Sequence, residues 1–240
     1  MQKEGMAAMK KLRLALNKGP ELRFLSHLDY AQAVERMILR AGIKTAYSEG
    51  FNPHMKISFS SALALGITAS AEYLDVDILE DDATVEDIIE RLNKMAPRGL
   101  EVKAGKEIIG PVKKMMAICN YAIYNVTGPI NERAENTDWE ALLKPFNEAT
   151  TISYEKVTPK KTRIIDIKHF VKEPLTATVN DGMVTITMGI GIYPEGTMKP
   201  GELWQFGIDT YGWPLSEDYE IHREAILVET ENGRYTPLEI

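Results

Sequence analysis

The sequence predicts an α+β fold made of tandem ferredoxin-like (β-α-β-β-α-β) units, the second one elaborated. Three observations carry this. Ser26 and Thr84 each open an apolar periodic run with a carboxylate three residues on, the signature of a capped helix. Residues 12–16 and 74–78 alternate apolar and polar side chains, as strands with one buried face do. Ile109-Gly110-Pro111 then offers a break after which strand and helix patterns begin again. The expected organisation is a flexible tail over 1–10, a first unit over 11–110 and a second over 115–240.

In chain order, Leu12, Leu14 and Leu16 mark a first strand that Asn17-Lys18-Gly19-Pro20 ends. Ser26 caps a helix whose apolar stripe is Leu28, Ala31, Val34, Met37 or Ile38 and Ala41, with Gly42 as its left-handed stop. Ser48 to Pro53 is a turn, in which Gly50 can take positive φ and Pro53 holds Asn52 extended. Met55, Ile57 and Phe59 alternate with polar neighbours as a strand, and residues 62–71 connect it to the strand at 74–78. Thr84 caps a second helix through Met95, and a further strand begins at Leu100 and Val102. The first and third strands are expected to be central. Beyond the break, Ala117–Val126 reads as a strand and Asp138–Asn147 as a helix. Strands follow near 152–157 and 162–167, then a hairpin around Asn180-Asp181-Gly182. Pro200 opens a short helix and Ala225–Val228 a last strand.

The densest set of candidate functional residues lies between Arg23 and Ser60. His27 falls in the first helical turn and His54 at the start of the following strand. A compact β-α-β arrangement can bring such places together, so Ser26, His27, Asp29, Tyr47, Glu49, Asn52 and His54 are expected to line one polar pocket. Two imidazoles and a carboxylate suffice to hold a divalent metal with open positions, or to act as an acid/base pair. The spacing matches no standard metal motif, and Asp29 already has a capping role. The helix start is also a candidate anion site, with Ser26, His27 and Arg23 in reach.

The segments FLSHLD, ERMILRAG, AYSEGFNPH and AEYLDVDI, with the late KKTRIIDI, resemble the radical-SAM-linked family of bacterial proteins, the DUF2344 domain. The likeness covers nearly the whole chain from Met9. Met55 stands where that pattern has a second Pro after NPH. Members occur alone or fused behind a radical-SAM domain, often encoded near ribosomal and RNase genes. The resemblance therefore implies a radical-SAM partner and work on RNA, tRNA or rRNA, for a non-catalytic accessory or substrate-binding protein. The alternative is a small metal-assisted hydrolase or transferase using His27 and His54.

Composition narrows the classes further. A length of 240 residues with 44% hydrophobic and 26% charged content suits a globular protein with a sizeable core. The net charge of -7 argues against nonspecific coating of nucleic acid, which rests on phosphate neutralisation. Cys119 is the only cysteine, so the chain forms no disulfide within itself and carries no iron–sulfur cluster of its own. A reducing cytoplasm and no membrane span are expected. The first eight residues do not read as a signal peptide.

Against the acidic whole, Lys156, Lys160, Lys161, Arg163 and Lys168 form a basic segment with Tyr154 and His169 beside it. Such a segment can bind phosphates while the tyrosine stacks on a base. Arg36 and Arg40, four apart on the first helix, either pair with Glu35, Asp75 or Asp77 or extend a basic surface.

Overall fold

The computed structural model describes residues 9–80, 82–131, 137–157 and 162–240. The chain divides into two compact units, one running to Cys119 and including Ile226–Ile240, the other spanning Asn120–Ala225. The division thus falls after Cys119 rather than at 110, and the last residues return to the first unit.

In the first unit the order is β1 (Lys10–Lys18), α1 (His27–Arg40), β2 (Ile57–Phe59), β3 (Ile67–Ile78), α2 (Val85–Met95) and β4 (Val102–Ile108). Every strand pair is antiparallel, and the strands lie in the order β4-β1-β3-β2. β1 and β3 are central, as their alternation predicts. The register sets Leu12 opposite Val76 and Leu14 opposite Leu74, so one face carries leucine, valine and isoleucine. That face packs on Tyr30, Val34, Met37 and Ile38 of α1 and on Ile88 and Leu92 of α2. Both helices start where the caps predict: Ser26 Oγ accepts from the Asp29 amide and Thr84 Oγ1 from the Asp87 amide.

Two expectations change. β3 begins at Ile67, not Leu74, because small residues such as Ala69 alternate into the core rather than forming a connection. Leu28, assigned to the inner stripe of α1, is exposed, because at about 3.6 residues per turn it falls on the side of the helix away from Tyr30, Val34 and Met37.

The other sheet face is charged yet buried. Lys11 Nζ lies 2.6 Å from Asp77 Oδ1, and Arg13 makes a two-pronged pair with Asp75 at 2.8 and 3.0 Å. These are the directly opposed residues of the β1–β3 register, so the pairs follow from the strand pairing itself. Arg13 also donates to the Pro237 carbonyl at 3.0 Å, and Lys106 Nζ to the Ile240 carbonyl oxygen at 2.7 Å. The Tyr73 hydroxyl bonds the Thr236 side chain, and burial raises its pKa. Residues 236–240 therefore lie over this face, reached through the strand Glu220–Thr230 and its hairpin partner Gly233–Tyr235.

Met115–Ile118 forms a single helical turn, α3, where a strand from Ala117 was expected. The second unit then runs β5 (Tyr121–Pro129), α4 (Trp139–Glu148), β6 (Ser153–Val157), β7 (Thr162–Asp166), α5 (Ile167–Phe170), β8 (Thr176–Asn180), β9 (Met183–Tyr193), β10 (Gly196–Thr197), α6 (Pro200–Tyr211) and the start of β11 (Glu220–Thr230), whose residues from Ile226 belong to the first unit. β12 is Gly233–Tyr235. β9 pairs with β5 along one edge and with β8 along the other, while β6 and β7 form a separate hairpin. The β8–β9 turn has positive φ at Asp181 (46°) and Gly182 (71°), the handedness a two-residue hairpin favours. The core gathers Trp204 and Trp213 with Phe146, Ile186 and Met188. No helix among the described residues is long and apolar enough to cross a membrane.

The Arg13–Asp75 pair yields a stability prediction. Arg13→Ala leaves a buried carboxylate without its cation and is expected to cost about 3–5 kcal/mol in urea unfolding. Replacing both residues by Met and Leu should recover most of that loss. A single and a double variant of equal stability would contradict this.

Candidate functional site

The site is built on the entry to α1. Leu25 and Tyr30 occupy the two positions of a hydrophobic staple; Leu25 packs on the first core and Tyr30 is buried in it. The Tyr30 hydroxyl donates to the Asn17 carbonyl at 2.9 Å, tying the helix start to the end of β1. Beside it Lys18, 0% exposed, donates to the Leu25 carbonyl at 2.9 Å and the Arg23 carbonyl at 3.3 Å. The Ser26 hydroxyl also donates to Asp29 Oδ2 at 2.6 Å, which holds that carboxylate over the first turn. His27 meets Phe59 of β2 edge-on, with ring centroids 5.3 Å apart. Phe59 leans on Tyr30 as well, at 6.1 Å.

Large apolar side chains stand outside this frame. Phe24 is 71% exposed, Leu28 73% and Leu65 61%. The Gly66 amide donates to the Arg23 carbonyl at 2.8 Å, which brings the end of the 60–66 loop to the same place. The Arg23 guanidinium lies 5.1 Å from the Phe24 ring centroid.

The second motif forms a closed turn. The Ser48 amide donates to the His54 carbonyl at 2.8 Å, and the His54 amide to Ser48 Oγ at 2.9 Å. Gly50 inside it has φ 124°. Tyr47, Glu49, Asn52 and His54 are at least partly exposed, and Phe51 is fully so. Of the expected pocket, then, Ser26, His27 and Asp29 meet at the helix start, and Tyr47, Glu49, Asn52 and His54 share one turn. His27 packs on Phe59 of β2, and His54 lies in the closed turn that precedes that strand. Among the described residues no group of three or more His, Cys, Asp or Glu side chains is placed to hold one metal ion.

The basic residues are placed differently from expectation. Asp75 and Asp77 are taken by Arg13 and Lys11, so neither pairs with Arg36 or Arg40. Arg40 instead donates to the Met95 carbonyl at 3.0 Å, and Arg36 is exposed. Lys156 is buried against Glu202 at 2.9 Å. Lys168 Nζ reaches the Phe146 and Asn147 carbonyls at 3.4 Å and sits 4.9 Å over the Phe146 ring. Burial pushes the Lys168 pKa down. Tyr154 packs edge-on against Phe206 at 5.6 Å instead of standing open for stacking. Arg163 donates to the Glu195 carbonyl at 3.2 Å. His169, assigned nothing from the sequence, pairs with Glu195 at 2.9 Å and lies against Tyr193. Lys160 and Lys161 lie outside the described residues.

The chain belongs to the bacterial family described as "Uncharacterized protein conserved in bacteria (DUF2344)", whose model matches residues 11–200. No curated protein matches it. Among solved structures it is similar to a chain of a Cbf5-Nop10-Gar1 complex, with TM-score 0.44 and 10% identity over 94% of this chain and 51% of that one. It thus spans about half the length of that relative. A second likeness is to an unknown protein from Galdieria sulphuraria, with TM-score 0.27 and 10% identity over 90% of this chain and 99% of that one.

Lys168 gives a pH prediction. The folded chain holds its proton less tightly than the unfolded chain, so charged Lys168 opposes folding. That opposition is full below the folded pKa and fades as pH rises towards the ordinary value of 10.5. The stability of Lys168→Met relative to the parent should therefore fall between neutral pH and pH 10.5. Urea midpoints measured across that range check it; a constant difference contradicts it.

Proposed function

We propose that this protein is a non-catalytic accessory of a radical-SAM enzyme in the cytoplasm, binding the partner and its RNA substrate, a tRNA or rRNA. One observation carries the reading. The segments that mark the family, Phe24–Asp29 and Phe51–His54, present side chains outward from a capped helix start and a closed turn. Recognition residues sit on rigid elements and face solvent, since precise placement is what gives recognition its specificity.

The tandem ferredoxin-like reading fits this role. The first unit has the strand order β4-β1-β3-β2. In the second, β5-α4 and β8-β9-α6 repeat the succession, with β6, β7 and α5 as the insertion. RNA-binding proteins of this class often use the sheet face away from the helices. In the first unit that face holds the Arg13–Asp75 pair beneath residues 236–240. RNA is therefore assigned to the segment that follows β6 in the sequence, where Lys160 and Lys161 stand beside Arg163.

Replacing Lys160, Lys161 and Arg163 by Ala should weaken RNA binding and lower its salt slope by roughly one unit for each phosphate no longer neutralised. Gel shifts with total cellular RNA at two salt concentrations read this. Equal affinities at both remove the segment from the account. Co-elution with the radical-SAM partner in size-exclusion chromatography tests the other half, and separate elution at micromolar concentration counts against it.

A further inference from the structure

We infer that the free edge of β8, flanked by α4, is a docking groove for an extended basic segment of a partner protein, which adds to the sheet as a further strand. The groove lies in the second unit and uses none of the residues on which the proposed function rests.

β8 pairs with β9 in an unbroken register from Thr176↔Thr187 to Asn180↔Met183, and its other edge pairs with no strand among the described residues. The two-residue turn at Asp181 and Gly182 makes Asn180 and Met183 a hydrogen-bonded pair. Bonded and non-bonded positions alternate along an antiparallel ladder, so Thr178 and Thr176 also turn their amides and carbonyls to β9. Leu175, Ala177 and Val179 turn theirs outward. At Leu175 the outward groups are taken by Asn147 of α4. Its Oδ1 accepts from the Leu175 amide at 2.8 Å and its Nδ2 donates to the Leu175 carbonyl at 3.0 Å, as one residue of a pairing strand would. No hydrogen bond among the described residues reaches the outward amides and carbonyls of Ala177 and Val179. The ladder that Asn147 begins is thus open at the next two positions. Exposed edges are ordinarily blunted by lysine, proline or a bulge. β4, at the end of its sheet, follows that rule with Lys103 and Lys106. β8, Thr-Ala-Thr-Val-Asn, has none of the three.

The surroundings of the edge select its occupant. Ala177 and Val179 lie on the same sheet face as their cross-strand partners Ile186 and Val184, the face that packs on Leu143 and Phe146 of α4. Val179 is nonetheless 46% exposed, and an apolar side chain on an added strand would cover it. At about 3.6 residues per turn, Glu140 and Lys144 lie on the same flank of α4 as Asn147, the flank that reaches the β8 edge. A cavity of about 520 Å³ follows it, lined by Asp138, Glu140, Ala141, Lys144, Asn147 and Glu148. Lys144 is paired with Glu148 at 3.7 Å, and Asp138 caps the helix. Lys168 is engaged with the Phe146 and Asn147 carbonyls. Glu140, and Asp181 at the far end of the edge, are exposed and make no ion pair among the described residues. The balance is negative, which favours lysine or arginine beside the apolar residues of the occupant and repels a phosphate backbone. A second copy of β8 would bring a second acidic α4 flank to the same face. An extended basic segment meets both demands, since its main chain completes the ladder and its alternate side chains read the groove.

The probe is a labelled peptide of about nine residues, Lys-Lys-Thr-Val-Thr-Val-Thr-Lys-Lys, long enough when extended to pass both open positions. Fluorescence anisotropy with the full chain should show saturable binding, about tenfold or more weaker with glutamates in place of the lysines. Val179→Pro removes an outward donor and leaves the ladder to β9 intact, because that amide faces solvent. It should weaken binding by about tenfold or more, with circular dichroism and the urea midpoint kept. Glu140→Lys should weaken it by about threefold. Two N-methylated peptides supply a test on the unaltered chain, which decides the matter if Val179→Pro misfolds. Methyl groups on one set of alternate amides should abolish binding and on the other set leave it, since only every second amide of an added strand faces β8. Absent binding, binding that folded Val179→Pro leaves unchanged, or equal effects of the two methylated peptides overturns the proposal. Dimerisation abolished by Val179→Pro in sedimentation would assign the edge to a second copy, and competition by oligouridylate to RNA; either overturns it likewise.

Discussion

The interaction on which the entry to α1 depends is the buried ammonium of Lys18. It sits at the last position of β1, opposite Ala69 of β3 and past the last pairing with β4, and it reaches over to the segment before α1. A neutral side chain of similar length would fill the space. It would not bond two carbonyls that lie outside any helix or strand. Satisfying those carbonyls lets the chain between β1 and α1 pass close to the core, with Leu25 inward and Phe24 outward. Tyr30, bonded to Asn17, fixes the helix from the other side. The motif at residues 23–29 is thus a clamped entry to a helix, not a loop that merely connects.

β1 also organises the rest of the unit. Its even-numbered leucines build the core with both helices, and its odd-numbered Lys11 and Arg13 pair with Asp77 and Asp75. The two faces of one strand therefore answer different needs. The apolar face drives folding through burial. The charged face is stabilised only while its pairs stay intact, and residues 236–240 lie across it. A reading based on fold class alone would send a ligand to that face; the ion pairs direct it elsewhere.

Much of this was legible in the sequence. The caps at Ser26 and Thr84, the alternation of β1 and the β8–β9 turn each follow from local chemistry, which is why they are where the pattern puts them. What local chemistry does not encode is the partner of a charge. Lys18, Arg13, Lys156 and Lys168 look like surface cations in a string of letters, and all four are drawn into protein contacts by chain segments far away or turned back on themselves. Leu28 is a different case: once the buried side of α1 is known to be Tyr30, Val34, Met37 and Ile38, about 3.6 residues per turn puts Leu28 on the outer side. The exposed positions of Phe24, Leu28 and Leu65 had one available signal, the presence of large apolar residues around a capped helix start already supplied with a staple by Leu25 and Tyr30.

The central claim is that the family motif is a recognition surface. Amide hydrogen exchange on the full chain, alone and mixed with the proposed radical-SAM partner and cellular RNA, tests it most directly. The account predicts added protection at residues 23–28 and 64–66 in the presence of the partner. Protection confined to other parts of the chain, with that corner exchanging as it does alone, would contradict it.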